Sequence, residues 1–180
     1  VASIGWDGAE WSVINKLFEQ GLLPNLKNLV DNGVSAPYRS LDVIKSPLIW
    51  TTMATGKTPE KHGIKDFGSF QFAGMTNNFI EYPDGLGLYR LITLFQRSAD
   101  LPITSSARRC EAIWNILSAA KRTVGIVGWW ATWPAEKVNG FIVSDRFTYT
   151  LFNPQASVQS LTQGQTYPPS SLNEIKDYCR

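Results

Sequence analysis

The sequence predicts an α/β fold with a mostly parallel central sheet and helices on both of its faces. Apolar segments with strand character alternate along the chain with segments whose apolar residues recur at helical spacing, an order typical of βαβ units. Residues 123–130 form a continuous apolar run, which is typical of a parallel strand covered on both faces. The chain has 180 residues, which suits one domain or a large part of one.

The first forty residues predict a strand followed by two helices. Glycine and proline residues punctuate two stretches in which apolar side chains recur at helical spacing. In order, we expect a buried strand over residues 1–6, a helix over 11–18 stopped by Gly21, a helix from Pro24 to Gly33, and an extended segment over 34–40, where Pro37 favours a sheet edge or a bend.

A third helix is predicted immediately after Lys45. Ser46 lies where an N-cap residue is expected, Pro47 occupies the first helical position, and Gly56 closes the helix. The start of a helix offers unpaired N–H groups and a partial positive charge, which suit a bound phosphate or sulfate. Ser46 is therefore either a cap alone or a cap that also acts as a nucleophile.

The rest of the chain predicts one long excursion and further sheet elements. Residues 66–105 are rich in Gly, Phe, Asn and Tyr and have weak periodicity, so we interpret them as a loop-rich, lid-like insertion or a long surface loop. The other predicted elements are a helix over about 107–120 with a core stripe of Cys110, Ile113, Trp114 and Leu117, a short strand over 138–144, a loop over 151–170, and a helix beginning near Leu172.

Composition and charge restrict the classes of function. Hydrophobic residues make up 43% of the chain and charged residues 18%, as in a globular protein. The net charge is +2 and the basic residues are scattered, which argues against nucleic acid or an anionic membrane surface as partner. We expect no membrane span and no signal peptide. The two cysteines lack metal-ligand spacing and are expected to be free thiols.

Asp7 is the first candidate for a metal or polar ligand. It follows the predicted first strand, and ligands of open parallel sheets bind at the carboxyl ends of the strands. A carboxylate next to Gly8 at that edge could hold a cation. The alternative is that Asp7 caps a helix beginning near Ala9.

Five motifs occur in an order that resembles a known enzyme family. They are Gly5-Trp6-Asp7-Gly8-Ala9; Gly21-Leu22-Leu23-Pro24-Asn25-Leu26; Lys45-Ser46-Pro47 with Trp50-Thr51-Thr52; Thr55-Gly56-Lys57-Thr58-Pro59; and His62-Gly63-Ile64. Similar pieces follow at 106–109, 113–114, 128–134 and 139–146. In this order the motifs resemble the type I phosphodiesterase/nucleotide pyrophosphatase family, which belongs to the alkaline phosphatase superfamily.

The resemblance implies a metal-dependent hydrolysis of a small phosphate ester. Two divalent cations, usually zinc with manganese or magnesium as alternatives, would lie at the carboxyl edge of an alkaline-phosphatase-like sheet, and Asp7 would ligate one of them. Ser46 would be a metal ligand and the nucleophile that forms a phospho-enzyme intermediate. Lys45 could add positive charge for the substrate or be an ordinary solvated lysine. Trp50 is a candidate aromatic contact to the substrate.

The sequence departs from this family pattern at two places. Nucleotide pyrophosphatases carry an asparagine three residues after the nucleophile, where this chain has Ile49, so their nucleotide preference does not transfer. The family completes its metal sites with further Asp and His residues, whereas this chain has one histidine, His62, outside the ligand segments. We expect His62 to have a structural role near its turn.

The incomplete ligand set leads to an expectation about the whole protein. Zinc sites use several N, O or S ligands, and the chain after residue 146 shows no Asp-His pair. We therefore expect residues 1–180 to be the N-terminal part of one catalytic domain of a larger enzyme, inactive alone. The alternatives are a non-catalytic anion-binding module, and a mutase or phosphotransferase of the same superfamily. A sulfatase is disfavoured because the Cys/Ser-x-Pro-x-Arg pattern is missing at Ser46.

Overall fold

The α/β class predicted from the sequence is confirmed by the mixture of elements in the structure. A computed structural model describes residues 1–71, 99–152 and 163–175. These ranges contain seven α-helices, one 3-10 turn and five strands. They fall into two compact units, Val1–Asp42 and Val43–Arg180. None of the helices in the described ranges is both long enough and apolar enough to cross a membrane.

The first unit contains the two helices that the sequence predicts there. Helix α1 spans Trp11–Glu19, and the side chain of Glu10 caps it by accepting a hydrogen bond from the Ser12 N–H. Helix α2 spans Pro24–Asn32 and begins with its proline, whose missing N–H is not needed at that position. The predicted helix limits are therefore confirmed to within about one residue.

The strand predicted over residues 1–6 is not formed in the described structure. Residues 1–6 carry no strand assignment and are exposed, and the same is true of the predicted extended segment over 34–40. A strand is defined by backbone hydrogen bonds to a neighbour, and an apolar run supplies the side chains for that pairing but not the partner. The prediction of a buried strand before Asp7 is therefore wrong for this structure.

The second unit holds all five strands of the described residues. Strand β1 (Gly68–Gln71) pairs antiparallel with β2 (Ala99–Pro102). Strands β3 (Val124–Val127), β4 (Gly140–Val143) and β5 (Thr166–Tyr167) form a mixed sheet in the order β3-β4-β5. The helices are α3 (Ser46–Thr55), α4 (Pro59–His62), α5 (Ile113–Ala119), α6 (Asp145–Phe152) and α7 (Ser171–Ile175), with a 3-10 turn at Ser105–Ala107.

The three-stranded sheet confirms one prediction and corrects two. Strands β3 and β4 are parallel, with Val124 opposite Gly140, as the apolar runs indicated. Strand β5, however, is antiparallel to β4 and lies in a segment predicted as loop. Val127 is 63% exposed, so the prediction that β3 is covered on both faces is wrong.

The core of the second unit combines side chains from α3, α5, β3 and β4. Ile142 and Trp114 are buried there together with Ala54, Ala112, Val124 and Val138. The predicted helical stripe is only partly core, because Ile113 and Leu117 are exposed. The predicted helix over 107–120 is also shorter than expected: it begins at Ile113, where the Asn115 side chain accepts a hydrogen bond from the Ala112 N–H.

Parts of three predicted segments lie outside the described residues. The paired strands β1 and β2 flank the middle of the predicted insertion, residues 72–98, which is not described. The predicted loop over 151–170 begins inside α6 and ends around β5, and its residues 153–162 are not described. Helix α7 begins at Ser171, close to the predicted start near Leu172, and residues 176–180 are not described.

Candidate active site at the start of helix α3

Ser46 is the first residue of helix α3, one position later than its predicted place as the cap. Lys45 takes the N-cap position: its backbone is extended (φ −131°, ψ 125°) and its carbonyl accepts the Ile49 N–H at 3.0 Å. The prediction of Ser46 as N-cap is therefore wrong by one residue, and Pro47 is the second helical residue. Ser46 is half-buried at the N-terminal end of the helix, which carries a partial positive charge.

The sequence of α3 explains why the helix starts and stops where it does. Pro47 fits the first turn, where its missing N–H is not required. Leu48, Thr51 and Ala54 recur at helical spacing and are buried on one face. Gly56 ends the helix in the left-handed region (φ 61°), and its N–H donates to the Thr52 carbonyl at 2.8 Å. Ser46 is thus presented by a helix fixed at both ends.

Lys45 forms an ion pair with Asp66 beside the start of α3. The Lys45 ammonium contacts the Asp66 carboxylate, and both side chains are 39% exposed. Asp66 also accepts the Phe67 N–H at 2.8 Å. The positive charge next to Ser46 is therefore shared with a carboxylate and reaches solvent, and the substrate role of Lys45 stays a prediction.

Trp50 packs edge-on against the ring of Trp129. The two ring centroids are 5.1 Å apart at an interplanar angle of 84°, and the Trp129 indole N–H donates to the Trp50 carbonyl at 3.1 Å. Trp114 lies edge-on to Trp129 in turn, at 6.1 Å. These contacts anchor α3 to the loop after β3, and a substrate contact by Trp50 stays a prediction.

His62 is fully buried and hydrogen-bonded, as the sequence predicted for a structural histidine. Its Nδ1 accepts the Ile64 N–H at 3.1 Å, and its Nε2 lies 2.9 Å from the Thr52 hydroxyl. Burial lowers the pKa of His62, the nearby Arg108 lowers it further, and Glu60 raises it in part. His62 therefore links the turn after α4 to helix α3 as a neutral imidazole.

Arg108 forms a partly buried cluster that sequence reasoning missed. Its side chain is 5% exposed and donates to both Glu136 carboxylate oxygens, at 2.7 and 2.6 Å, and to Asn115 Oδ1 at 3.1 Å. The Trp114 indole N–H donates to the same carboxylate at 3.1 Å. The sequence signal was the Ser106–Arg109 motif, which identified the arginine's segment but not its partner.

Asp145 is a second missed residue, and its sequence signal was available. It is separated from the end of β4 by Ser144 alone and is almost fully buried at the start of α6. Its carboxylate accepts the Ala131 N–H at 3.0 Å, and its own N–H donates to Thr132 Oγ1 at 3.0 Å. Burial raises the pKa of the Asp145 carboxyl, against the opposing effect of backbone N–H groups around it. Asp145 directly follows the strand predicted over 138–144, so the pattern by which Asp7 was selected applied to it as well.

Asp7 lies in a turn of the first unit, between residues 1–6 and α1. It is exposed, and Glu10 takes the capping position of α1, so the alternative of Asp7 as the helix cap is wrong. Ser46 belongs to the second unit. Within the described ranges, no three His, Cys, Asp or Glu side chains are grouped as a metal site would require. The described residues therefore do not make up a metal centre.

The comparisons with known proteins identify the family. A family model described as type I phosphodiesterase / nucleotide pyrophosphatase matches residues 1–176. Searches of curated proteins and of solved structures gave no match. This family indicates hydrolysis of phosphate esters of the phosphodiester or pyrophosphate type, and its members generally depend on divalent metal ions. Because the match covers nearly the whole sequence, the chain belongs to the type I phosphodiesterase/nucleotide pyrophosphatase family.

Proposed function

We propose that the protein containing this chain hydrolyses a small phosphate ester with Ser46 as the nucleophile. The observation that carries the proposal is the position of Ser46 as the first residue of the ten-residue helix α3. N–H groups at a helix start bind phosphate oxygens. A phosphate bound there would lie next to the Ser46 hydroxyl, because Ser46 is the first residue of the helix. The order of motifs around Ser46 supports the same assignment.

The charges around the helix start suit an anionic substrate. The partial positive charge of α3 and the Lys45 ammonium lie at the same end of the helix. Asp66 neutralises Lys45 in part, and both groups remain open to solvent. The partial positive charge of the helix start would stabilise a bound phosphate. The Lys45 ammonium would stabilise it further, to the extent that the phosphate displaces the Asp66 carboxylate from Lys45.

The proposed reaction has two displacements at phosphorus. In the first, a bond forms between Ser46 Oγ and phosphorus while the bond from phosphorus to the leaving oxygen breaks. The Ser46 hydroxyl gives up its proton, and the leaving oxygen takes one up to depart as an alcohol. In the second, water replaces Ser46 Oγ and restores the hydroxyl. One water is consumed in each cycle. Electrostatic stabilisation of the phosphoryl oxygens by the N–H groups of α3 would be this chain's main contribution.

Divalent-metal dependence is part of the proposal, with Asp7 and Ser46 as ligands from this chain. Bound cations would supply activation of the serine hydroxyl and charge neutralisation. Two ions, zinc first and manganese or magnesium as alternatives, are proposed from the family resemblance. Since the described residues form no complete metal centre, the remaining ligands are proposed to lie outside them.

The Asp7 assignment predicts that Asp7→Asn weakens metal binding by the full-length protein by about tenfold or more, because even indirect supports of metal ligands are worth about 10- to 100-fold. Metal titration with zinc, together with elemental analysis, measures the change. Asp31→Asn is the matched control, because Asp31 is an exposed aspartate of the same unit that pairs with Lys27. Unchanged metal affinity in Asp7→Asn would reject the ligand assignment.

The proposal extends to the architecture of the domain. Residues 1–180 are proposed to be the N-terminal part of one alkaline-phosphatase-like catalytic domain, with a sheet flanked by helices on both faces and a loop-rich insertion at about 66–105. The parallel pairing of β3 with β4 and the helices α5 and α6, adjacent in sequence to these strands, support this arrangement.

A panel of phosphate monoesters, phosphodiesters and pyrophosphates tests the function. It is applied to the full-length protein with and without added zinc, manganese or magnesium. Hydrolysis of at least one ester class is expected, and nucleotides need not be preferred because Ile49 stands in place of the family's asparagine. No hydrolysis with any of the metals would contradict the proposal.

A non-catalytic anion-binding module is the second candidate. The observation in its favour is the position of α3, since the starts of helices bind anions through backbone N–H groups. Such a module would bind inorganic phosphate without hydrolysing any ester and would copurify without two bound cations. Calorimetry with inorganic phosphate, alongside the ester panel and metal analysis, distinguishes the two candidates.

A further inference from the structure

We infer that His62 is a positioning residue for Ser46, acting through Thr52 and the first turn of helix α3. The catalytic part of this inference rests on the proposed role of Ser46, whereas the structural part does not. His62 is the only histidine of the chain and lies at the end of α4, outside the proposed reaction centre.

The hydrogen bonds of His62 allow one tautomer of the neutral ring. Nδ1 accepts the Ile64 N–H at 3.1 Å and therefore carries no proton. The ring proton is then on Nε2, which lies 2.9 Å from Thr52 Oγ1. The Thr52 hydroxyl uses its single hydrogen to donate to the Leu48 carbonyl at 2.9 Å, so it accepts from Nε2–H. All three bonds are compatible only with this arrangement.

This chain of hydrogen bonds ends two residues from Ser46. It begins at the Ile64 N–H in the turn after α4, passes through His62 and Thr52, and reaches the Leu48 carbonyl in the first turn of α3. The backbone of His62 is held in addition by bonds to the Thr58 carbonyl and from the Arg109 N–H, both at 3.0 Å. The ring is therefore a rigid support against which α3 is placed.

Protonation of His62 would break this support. A proton on Nδ1 would face the Ile64 N–H, so two donors would meet, and a charge would be created at a fully buried site. Of the charged groups around the ring, Arg108 opposes protonation and Glu60 favours it. The Arg109 side chain packs over the adjacent Gly63 and adds a second positive group on that side. The support therefore persists at neutral pH.

The sign of the pH dependence follows from the direction of the pKa. Burial lowers the pKa of His62, so the unfolded chain takes up a proton at a higher pH than the folded chain does. Stability from this group is complete above its ordinary pKa of about 6.5 and is lost as the pH falls from there toward the lowered pKa. We therefore expect protonation of the ring to displace α3 only in this acidic range, as the pH approaches the lowered pKa of His62.

Nuclear magnetic resonance of the ring and of Ser46 tests the structural part without an activity assay. Because the chain has one histidine, its imidazole nitrogens are assigned directly once this chain is labelled within the full-length protein. We expect a proton on Nε2 and none on Nδ1 at neutral pH, and a Ser46 amide shift that titrates with the ring. A proton on Nδ1, or a Ser46 amide that ignores the titration, would overturn the inference.

Two threonine variants test the catalytic part. Thr52→Val removes the hydroxyl that links His62 to α3, and Thr55→Val is the matched control. Thr55 donates the same kind of bond, to the Thr51 carbonyl at 2.7 Å, and its hydroxyl accepts the Lys57 N–H at 3.2 Å in the place where Thr52 accepts from His62. We expect Thr52→Val to lower kcat about tenfold with an unchanged KM, since small misplacements of reacting groups cost up to about 100-fold, and Thr55→Val to stay within about twofold.

The outcomes separate this inference from the proposed function. Equal kcat values for the two variants would overturn the positioning role of His62 while leaving Ser46 as nucleophile. A wild-type protein that hydrolyses no ester would contradict the proposed function, and the coupling of the Ser46 amide to His62 would still decide the structural role. In Thr52→Val that coupling is expected to disappear.

Discussion

At the scale of single residues, a shift of one position changes the interpretation of Ser46. The sequence pattern assigns the cap to Ser46, but Lys45 takes that position because its extended backbone already provides the first helical acceptor. The hydroxyl of Ser46 is therefore not required as the N-cap. A change at Ser46 is expected to affect chemistry more than folding.

The buried Asp145 carboxylate gives a prediction about pH. Burial raises its pKa, so the folded state takes up a proton at higher pH than the unfolded state does. The contribution of this group to stability therefore increases as the pH falls from the raised pKa toward the ordinary value of about 3.9. We expect urea unfolding to show that the stability of wild type relative to Asp145→Asn is greater at pH 4 than at pH 7.

The neutral asparagine is an isosteric reference for this measurement. It keeps one oxygen to accept the Ala131 N–H, and because its amide does not titrate, the stability that it loses through the other hydrogen bonds does not vary with pH. Asp31→Asn, at an exposed position, serves as the control for general electrostatic effects. A stability difference between wild type and Asp145→Asn that is the same at both pH values would contradict the assigned pKa direction.

At the scale of elements, Gly140 is the position on which the pairing of β3 with β4 depends. Its φ is 139°, and a Cβ atom there would lie 1.9 Å from the Val124 carbonyl oxygen. Because this oxygen belongs to the backbone, it has no rotamer by which to move away. We expect Gly140→Ala to lower the free energy of unfolding by about 3 kcal/mol or more in chemical denaturation.

Gly56→Ala separates backbone strain from the clash. Gly56 also has a positive φ, 61°, but nothing lies within 4 Å of a Cβ atom added there. The left-handed conformation alone should cost about 1–2 kcal/mol. Equal losses of stability in the two variants would show that the contact with Val124 has no effect of its own.

The sequence predicted elements well where punctuation and periodicity agreed. Proline and glycine mark both ends of α2 and α3, and these helices form as predicted. Strand β5 was missed because two residues carry no periodicity and depend on β4 for their pairing. The strand predicted over residues 1–6 was wrong for the opposite reason: these residues have the apolar character of a strand, but no described strand pairs with them.

At the scale of the whole molecule, the sequence identified the family better than the contacts around the candidate site. The order of motifs led to the family that the comparison confirms over residues 1–176. Which residues join across the chain could not be predicted, because the pairs Arg108–Glu136 and Lys45–Asp66 are separated by 28 and 21 positions and depend on the folded backbone. Local chemistry is readable from sequence, whereas long-range pairing of charges requires the fold.

The central claim, that Ser46 is the nucleophile, is tested most directly by trapping the intermediate. The full-length protein is acid-quenched during turnover of its best ester from the panel, and the tryptic peptide that begins at Ser46 is analysed by mass spectrometry. Ser46→Ala is quenched in parallel, and its unfolding is compared with that of wild type. A loss of less than about 1 kcal/mol is expected, since even a true cap costs about that much.

We predict a phosphoryl group on Ser46 in wild type, still carrying the second substituent where the substrate is a diester or pyrophosphate, and neither the modification nor ester turnover in Ser46→Ala. Phosphoryl transfer to another residue of that peptide, or wild-type turnover by Ser46→Ala, would contradict the account.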